Sequence, residues 1–325
     1  MNRTEEYGKK HSISVATFFE KGAGLLKMQI VVGEGDSLMR QITESAINRP
    51  GLALTGFYKY FAYRRVQVIG WAEYAYLSSI KKSEKQERLR KFFSTKIPCV
   101  VVARGMKIIP EIISCAREAG VPVFQSTMVT KDFINAATIL LENLMSPRIN
   151  VHGTMVEILG LGILIEGDAG MGKSETALSL IKRGHALVSD DITVLRVDST
   201  GSIIASPVST TRYHMEIKGM GIIHVPSLFG ISSVRDEKKL DFIVTLCKPG
   251  EEGGVDLTGR QERKRKILGV EIPQVMIPVA PGRDIANIVE TAALDYKLRQ
   301  MGHDAVKELD ARIISLMREG SSGEK

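Results

Sequence analysis

Residues 167–174 read Gly-Asp-Ala-Gly-Met-Gly-Lys-Ser, a complete match to the pattern G-x-x-x-x-G-K-[ST]. Glycine reaches backbone conformations closed to other residues. A loop built on it turns successive amides inward as a cradle for phosphate oxygens. The lysine and hydroxyl that end the pattern add a charge for the terminal phosphates and an oxygen for Mg²⁺, and the pattern demands a strand before it and a helix after it. Val156-Glu157-Ile158-Leu159 and Gly162-Ile163-Leu164-Ile165-Glu166 read as strands before it. Glu175-Thr176-Ala177-Leu178-Ser179-Leu180-Ile181-Lys182 opens a helix whose N-terminus favours anions. The chain is therefore expected to bind a nucleotide. The contact residues are Gly167, Asp168, Ala169, Gly170, Met171, Gly172, Lys173, Ser174 and Glu175.

A chain of 325 residues has the length of about two domains of roughly 150 residues each. Ser146-Pro147 supplies the break, because a proline disfavours helix in the residue before it. The expected domains are 1–146 and 147–325. In the first, Ile30-Val31-Val32, residues 66–70 and residues 97–102 read as buried strands. Residues 89–93, 110–116 and 133–141 read as helices. Such alternation argues for an α/β layered domain with a largely parallel sheet. His11 stands alone there and reads as structural or surface, since one imidazole makes no site. In the second domain a terminal helix is expected from about Ile285 to Leu298, with a short one after it.

No apolar run approaches the roughly 18 residues needed to span a bilayer. The first six residues lack the apolar core of a signal peptide. Cys99, Cys115 and Cys247 are odd in number and lack metal-type spacing. The expectation is a cytoplasmic protein that engages no membrane. The formal charge of +7 fits either nucleic acid or an anionic ligand and partner. One basic cluster, residues 81–91, is interleaved with glutamates at helical spacing and reads as a solvated helix face. The other, residues 260–266, follows the glycine-rich residues 249–254 and reads as a loop-like run able to engage an acidic partner. Neither carries an aromatic stacking pattern, which argues against nucleic acid.

Asp190 and Asp191 follow Lys173 by only 17 and 18 positions, enough for a helix of about ten residues and a short return strand. Adjacent carboxylates at that strand end can hold Mg²⁺, orient a hydroxyl or accept its proton; the alternative is a turn or cap pair. His152, 15 residues before Gly167, can meet the transferred phosphoryl group, tune an aspartate, or be a satisfied structural histidine. Glu216 heads a glycine-rich strand segment and is a candidate Mg²⁺ ligand alongside Ser174. Pro278-Val279-Ala280-Pro281-Gly282-Arg283 is a rigid turn presenting Arg283, a side chain suited to bidentate phosphate binding.

Taken together, Val151-His152-Gly153, the loop through Glu175, Lys182-Arg183-Gly184-His185, Asp190-Asp191, residues 216–223 and residues 277–283 resemble the HPr kinase/phosphorylase family. The resemblance covers most of residues 147–300. It implies an α/β fold with an N-terminal α/β domain and a C-terminal P-loop kinase domain related to phosphoenolpyruvate carboxykinase. The implied activity is ATP-dependent phosphorylation of a serine of the carrier protein HPr, and its reversal by inorganic phosphate with release of pyrophosphate. The implied assembly is a homohexamer. Under it Lys173 and the loop amides hold phosphate, Ser174 and Glu216 hold Mg²⁺, and one of Asp190 and Asp191, with Asp191 favoured, serves as base and acid. His152 joins the phosphate site, and Arg283 serves chiefly the dephosphorylation.

Two positions depart from the family pattern. Ala169 stands where a loop serine is usual, which removes a hydroxyl but leaves the gripping amides. Leu257 stands where the family carries an assisting arginine, so either Arg260 substitutes from a shifted position or that contribution is absent. The same core also suits a small-molecule kinase or a kinase for a different protein. A nucleotide-sensing DNA binder is disfavoured, because no helix-turn-helix pattern accompanies the charge.

Overall fold

The computed structural model describes residues 12–251 and 263–303, together with 308, 309 and 312. His11, Arg260 and the short segment expected after the terminal helix lie outside the described residues, apart from those three positions. The chain forms two compact units that divide between Ser146 and Pro147.

The first unit is built on β1 (Met28–Val32), β2 (Gln67–Ile69), β3 (Val100–Val102) and β4 (Val123–Ser126), in the order β1-β4-β3-β2. β2, β3 and β4 run parallel and β1 is antiparallel to β4. Val100 and Val102 face one hydrophobic core while Val101 faces another. A strand covered on both faces needs an uninterrupted apolar run, which is why Val100-Val101-Val102 carries no polar residue. The covering helices are α1 (Val15–Gly22), α2 (Trp71–Ser79), α3 (Lys82–Phe93), α4 (Pro110–Ala119) and α5 (Thr130–Met145). α4 starts at a proline and ends at Gly120 in the left-handed conformation, the expected start and stop chemistry. The basic cluster of residues 81–91 lies on α3, with Glu84 bonded to Arg88 one turn on.

The second unit begins with β5 (Arg148–His152), β6 (Thr154–Ile158) and β7 (Leu161–Glu166), followed by α6 (Lys173–Lys182), β8 (Ala186–Ser189), β9 (Ile192–Val197) and β10 (Ile203–Pro207). A hairpin of β11 (His214–Ile217) and β12 (Gly221–His224) precedes β13 (Lys238–Lys239), β14 (Phe242–Cys247), β15 (Arg263–Ile267), β16 (Val270–Pro278) and α7 (Ile285–Gln300). Among the described residues these strands make a six-stranded sheet, β8-β6-β7-β14-β16-β15, and a four-stranded sheet, β13-β10-β9-β5. Ile163 and Ile165 pack into the core with Ala177, Leu180 and Val289 of the helices. Leu164 between them points the other way, toward Leu195 and Ile203 of the second sheet. Helices, large sheet and small sheet thus stack as three layers, with β7 buried at every position.

Residues 263–266 correct one expectation. They are not loop but most of β15, paired antiparallel with β16 from Arg263 opposite Gln274 to Ile267 opposite Val270. Charge alone hid this strand, because an edge strand need not show an apolar stripe.

Candidate active site

β7, β14 and β16 run parallel, with Glu166 level with Thr245 and Cys247 level with Pro278. β8 points the same way, because both it and β7 are antiparallel to β6. Four strands therefore release their C-terminal ends at one edge of the sheet, where open α/β sheets bind ligands. The glycine loop leaves β7 there, the aspartate pair leaves β8, and the turn carrying Arg283 leaves β16.

The loop opens at Gly167, whose φ of +146° suits glycine alone. A Cβ at that position would lie 2.7 Å from the Leu246 carbonyl oxygen of β14. Gly172, at φ +85°, delivers the chain into α6, so Lys173, Ser174 and Glu175 form its first turn. Lys173 Nζ donates to the carbonyls of Gly167 at 2.8 Å and Asp168 at 3.1 Å, folding the ammonium back over the loop. Asp168, Ala169, Gly170 and Glu175 are exposed, and Met171 is half-buried.

Between β8 and β9 the chain turns on two residues. The amide of Ile192 donates to the Asp190 carbonyl at 2.7 Å, with Asp191 between them at φ +61°. A three-residue turn with a positive central φ is rare and strained, and such strain gathers where function needs it. The turn sends the two carboxylates to different surroundings: Asp190 is buried and Asp191 is exposed. Asp190 Oδ1 accepts from the hydroxyls of Thr154 at 2.7 Å and Ser174 at 3.0 Å. Its Oδ2 accepts from the backbone amide of Glu216 at 3.2 Å, with Ser174 Oγ also at 3.2 Å. The structure therefore gathers Ser174, Asp190 and the backbone of Glu216. On β11, Met215 and Ile217 are buried while His214 and Glu216 face outward. His152 ends β5 as an exposed side chain opposite Ile192, the residue next to Asp191.

Arg283 is exposed in the turn after β16, its amide donating to the Ala280 carbonyl at 3.2 Å. The next residue, Asp284, accepts the Asn287 amide as the cap of α7 and pairs with Arg183 at 2.7 Å. Arg183 also binds Glu290, which His185 Nε2 meets at 2.8 Å. The bond with His185 above all, and then that with Arg183, hold the Glu290 carboxyl below the usual carboxylate range.

Sequence reasoning missed two groups. Thr154 is fully buried, and its only early signal was a hydroxyl at the head of an apolar strand. Glu166, the last residue of β7, is buried and bonded to Arg265 of β15. Burial pushes its carboxyl up and Arg265 opposes the shift. A charge ending a buried strand was visible in the sequence, but its partner three strands away was not.

Among the described residues no three His, Cys, Asp or Glu side chains cluster as a metal cage. Mg²⁺ asks for less, since one or two protein oxygens suffice when water and phosphate supply the others. The Ser174 hydroxyl beside Asp190, with the backbone amide of Glu216 on the same carboxylate and the Glu216 side chain exposed, offers donors of that kind. Among the described residues no helix is long and apolar enough to cross a membrane.

Comparison with known proteins covers nearly all of this. A family model described as HPr Serine kinase N terminus matches residues 13–141, and one described as HPr Serine kinase C-terminal domain matches residues 143–313. The HPr kinase/phosphorylase of Leptospira biflexa serovar Patoc is 40% identical over 298 residues, 91% of this chain and 92% of that protein. That of Chloroherpeton thalassium is 40% identical over 308 residues, 94% of this chain and 90% of that protein. A solved structure of the Hpr(Ser) kinase/phosphatase from Coxiella burnetii covers 50% of this chain and 98% of its own, at 33% identity and a TM-score of 0.46.

Proposed function

The chain belongs to the HPr kinase/phosphorylase family, and on that premise we propose that it phosphorylates a serine of an HPr-like carrier protein with ATP and reverses the modification with inorganic phosphate. It is a protein-serine kinase/phosphorylase. The observation that carries the chemistry is the divided turn at Asp190 and Asp191, one carboxylate bonded inward and its neighbour open to an incoming hydroxyl.

In the forward direction Asp191 takes the proton of the substrate serine. The serine oxygen bonds to the γ-phosphorus, the bridging bond to the β-phosphate breaks, and ADP leaves. In reverse an oxygen of inorganic phosphate bonds to the phosphoserine phosphorus. The serine oxygen leaves with the proton held by Asp191, and pyrophosphate is released. One carboxylate thus serves as base and then acid. Lys173 and the loop amides bind the phosphates, and their fixed dipoles stabilise the charge spread over the transferred group. Ser174 and Glu216 would hold Mg²⁺, which supplies charge neutralisation between the phosphates. His152 and Arg283 complete the phosphate site, Arg283 chiefly for the dephosphorylation. Arg260, the candidate to replace the family's assisting arginine if that contribution is present at all, lies outside the described residues.

The proposal includes a kinase core related to phosphoenolpyruvate carboxykinase, a cytoplasmic homohexamer, and two domains meeting at residues 146 and 147. Purified protein, Mg-ATP and HPr test it directly. Serine-phosphorylated HPr is the expected product, and pyrophosphate the product when phosphate is added to it. No serine phosphorylation at any phosphate concentration overturns the proposal, and ATP consumption with small hydroxyl compounds alone would assign a small-molecule kinase.

A further inference from the structure

We propose that Thr154 is a positioning residue that, through Asp190, aims the Ser174 hydroxyl oxygen at the metal ion of the bound nucleotide. The inference rests on the reading of the loop as a metal–nucleotide site. A serine hydroxyl has one hydrogen and two lone pairs. It serves a cation only when its hydrogen points away from the metal, and the Asp190 carboxylate, at 3.0 and 3.2 Å, is where that hydrogen goes. The direction of the Ser174 lone pairs is therefore set by where Asp190 stands.

Thr154 determines that position. Its side chain is fully buried, and its hydroxyl donates to Asp190 Oδ1 at 2.7 Å, shorter than the Ser174 bond to the same oxygen. Its backbone is locked by the β6–β7 ladder opposite Ile165, which itself stands two residues before the glycine loop opens. The peptide before it is fixed too, because Thr193 Oγ1 donates to the Gly153 carbonyl at 2.9 Å and bonds Ser189 at 2.6 Å. The chain Thr154–Asp190–Ser174 runs from a rigid strand to the first turn of α6. Removing its first member takes the shortest bond off Asp190 Oδ1 and leaves the carboxylate held by the Ser174 hydroxyl and the Glu216 amide alone, at 3.0–3.2 Å. Partners that orient metal-binding groups in this way typically contribute roughly ten- to a hundredfold in metal affinity.

The test uses Mn²⁺, whose free form gives a paramagnetic resonance signal, with a non-hydrolysable ATP analogue. Wild type, Thr154→Val, Thr154→Cys and Thr154→Ser are titrated, and the melting temperature of each is recorded. Valine keeps the shape and drops the hydroxyl. Cysteine is a weak donor of similar size that decides the question if the valine variant fails to fold. The expected result is roughly tenfold weaker Mn²⁺ binding for the valine and cysteine variants, unchanged affinity for the metal-free analogue, and wild-type Mn²⁺ binding for the serine variant. Wild-type Mn²⁺ affinity in a folded valine or cysteine variant overturns the role of Thr154, whatever its melting temperature, and leaves the nucleotide reading standing. A wild-type protein that binds no Mn²⁺–nucleotide overturns that reading and the inference with it.

Discussion

Gly153 donates its amide to the carbonyl of Asp191 at 2.9 Å, tying the link between β5 and β6 to the strained turn that carries both aspartates. Gly153 also lies so close to β7 that a Cβ there would sit 2.9 Å from the Ile165 carbonyl oxygen. Gly153→Ala is expected to push the two strands apart, at a cost of roughly 1–3 kcal/mol in stability. Urea denaturation measures the cost. Turnover is expected to fall further than stability alone explains, because the turn must move with the strand.

Asp191→Asn is expected to lower kcat by roughly a hundredfold or more, the scale of a lost general base, while nucleotide affinity stays near wild type. Asp190→Asn should behave differently. An amide there sets its NH₂ against the hydroxyls and backbone amide that now donate to the carboxylate, which costs roughly 1–3 kcal/mol of stability. Paired single-turnover and melting measurements separate the two. Equal behaviour of the two variants would refute the division of roles at the turn.

Glu290 gives a pH-dependent contribution of defined sign. Its folded carboxyl sits below the usual range because His185 and then Arg183 bind it. The stabilisation is thus present above the ordinary carboxylate pKa of about 4.3 and disappears as pH falls through the lower folded value. Glu290→Gln should be less stable than wild type at pH 7, with the gap closing on acidification. A gap that stays constant with pH would show that the carboxylate charge plays no part.

Glu166 has the opposite sign. Burial, only partly offset by Arg265, raises its folded pKa. Its contribution is therefore most favourable at low pH and is lost as pH rises from the ordinary carboxylate value through the raised one. Glu166→Gln should gain stability relative to wild type over that interval. Denaturation curves taken across it are expected to show the difference growing with pH.

The glycine loop, its flanking strand and helix, and the two aspartates were legible because each is a local signal: residue types at fixed spacing, bounded by apolar runs. The helix from Pro110 and the terminal helix from Ile285 were legible for the same reason, with a proline at one start and an aspartate cap at the other. What stayed hidden depends on distant partners. Asp190 and Asp191 look alike in sequence, and only the turn between β8 and β9 turns one inward and leaves the other outside. Thr154 finds its partner in Asp190, 36 residues on, and Glu166 in Arg265, 99 residues on. β15 read as loop because its strand character comes from pairing with β16 rather than from its own side chains.

β15 has a consequence for the protein in a crowded solution. It closes the six-stranded sheet with β16 as its strand partner among the described residues, the place in a sheet where pairing with another chain has to be guarded against. Four of its five residues, Arg263, Lys264, Arg265 and Lys266, are cations. Lys264 and Arg265 are matched by Glu271 and Glu166 within the chain, yet a second copy adding this edge would still set one row of basic side chains against another. Charged side chains along an edge strand are one of the means by which sheets resist edge-to-edge pairing, and the composition of this strand is of that kind.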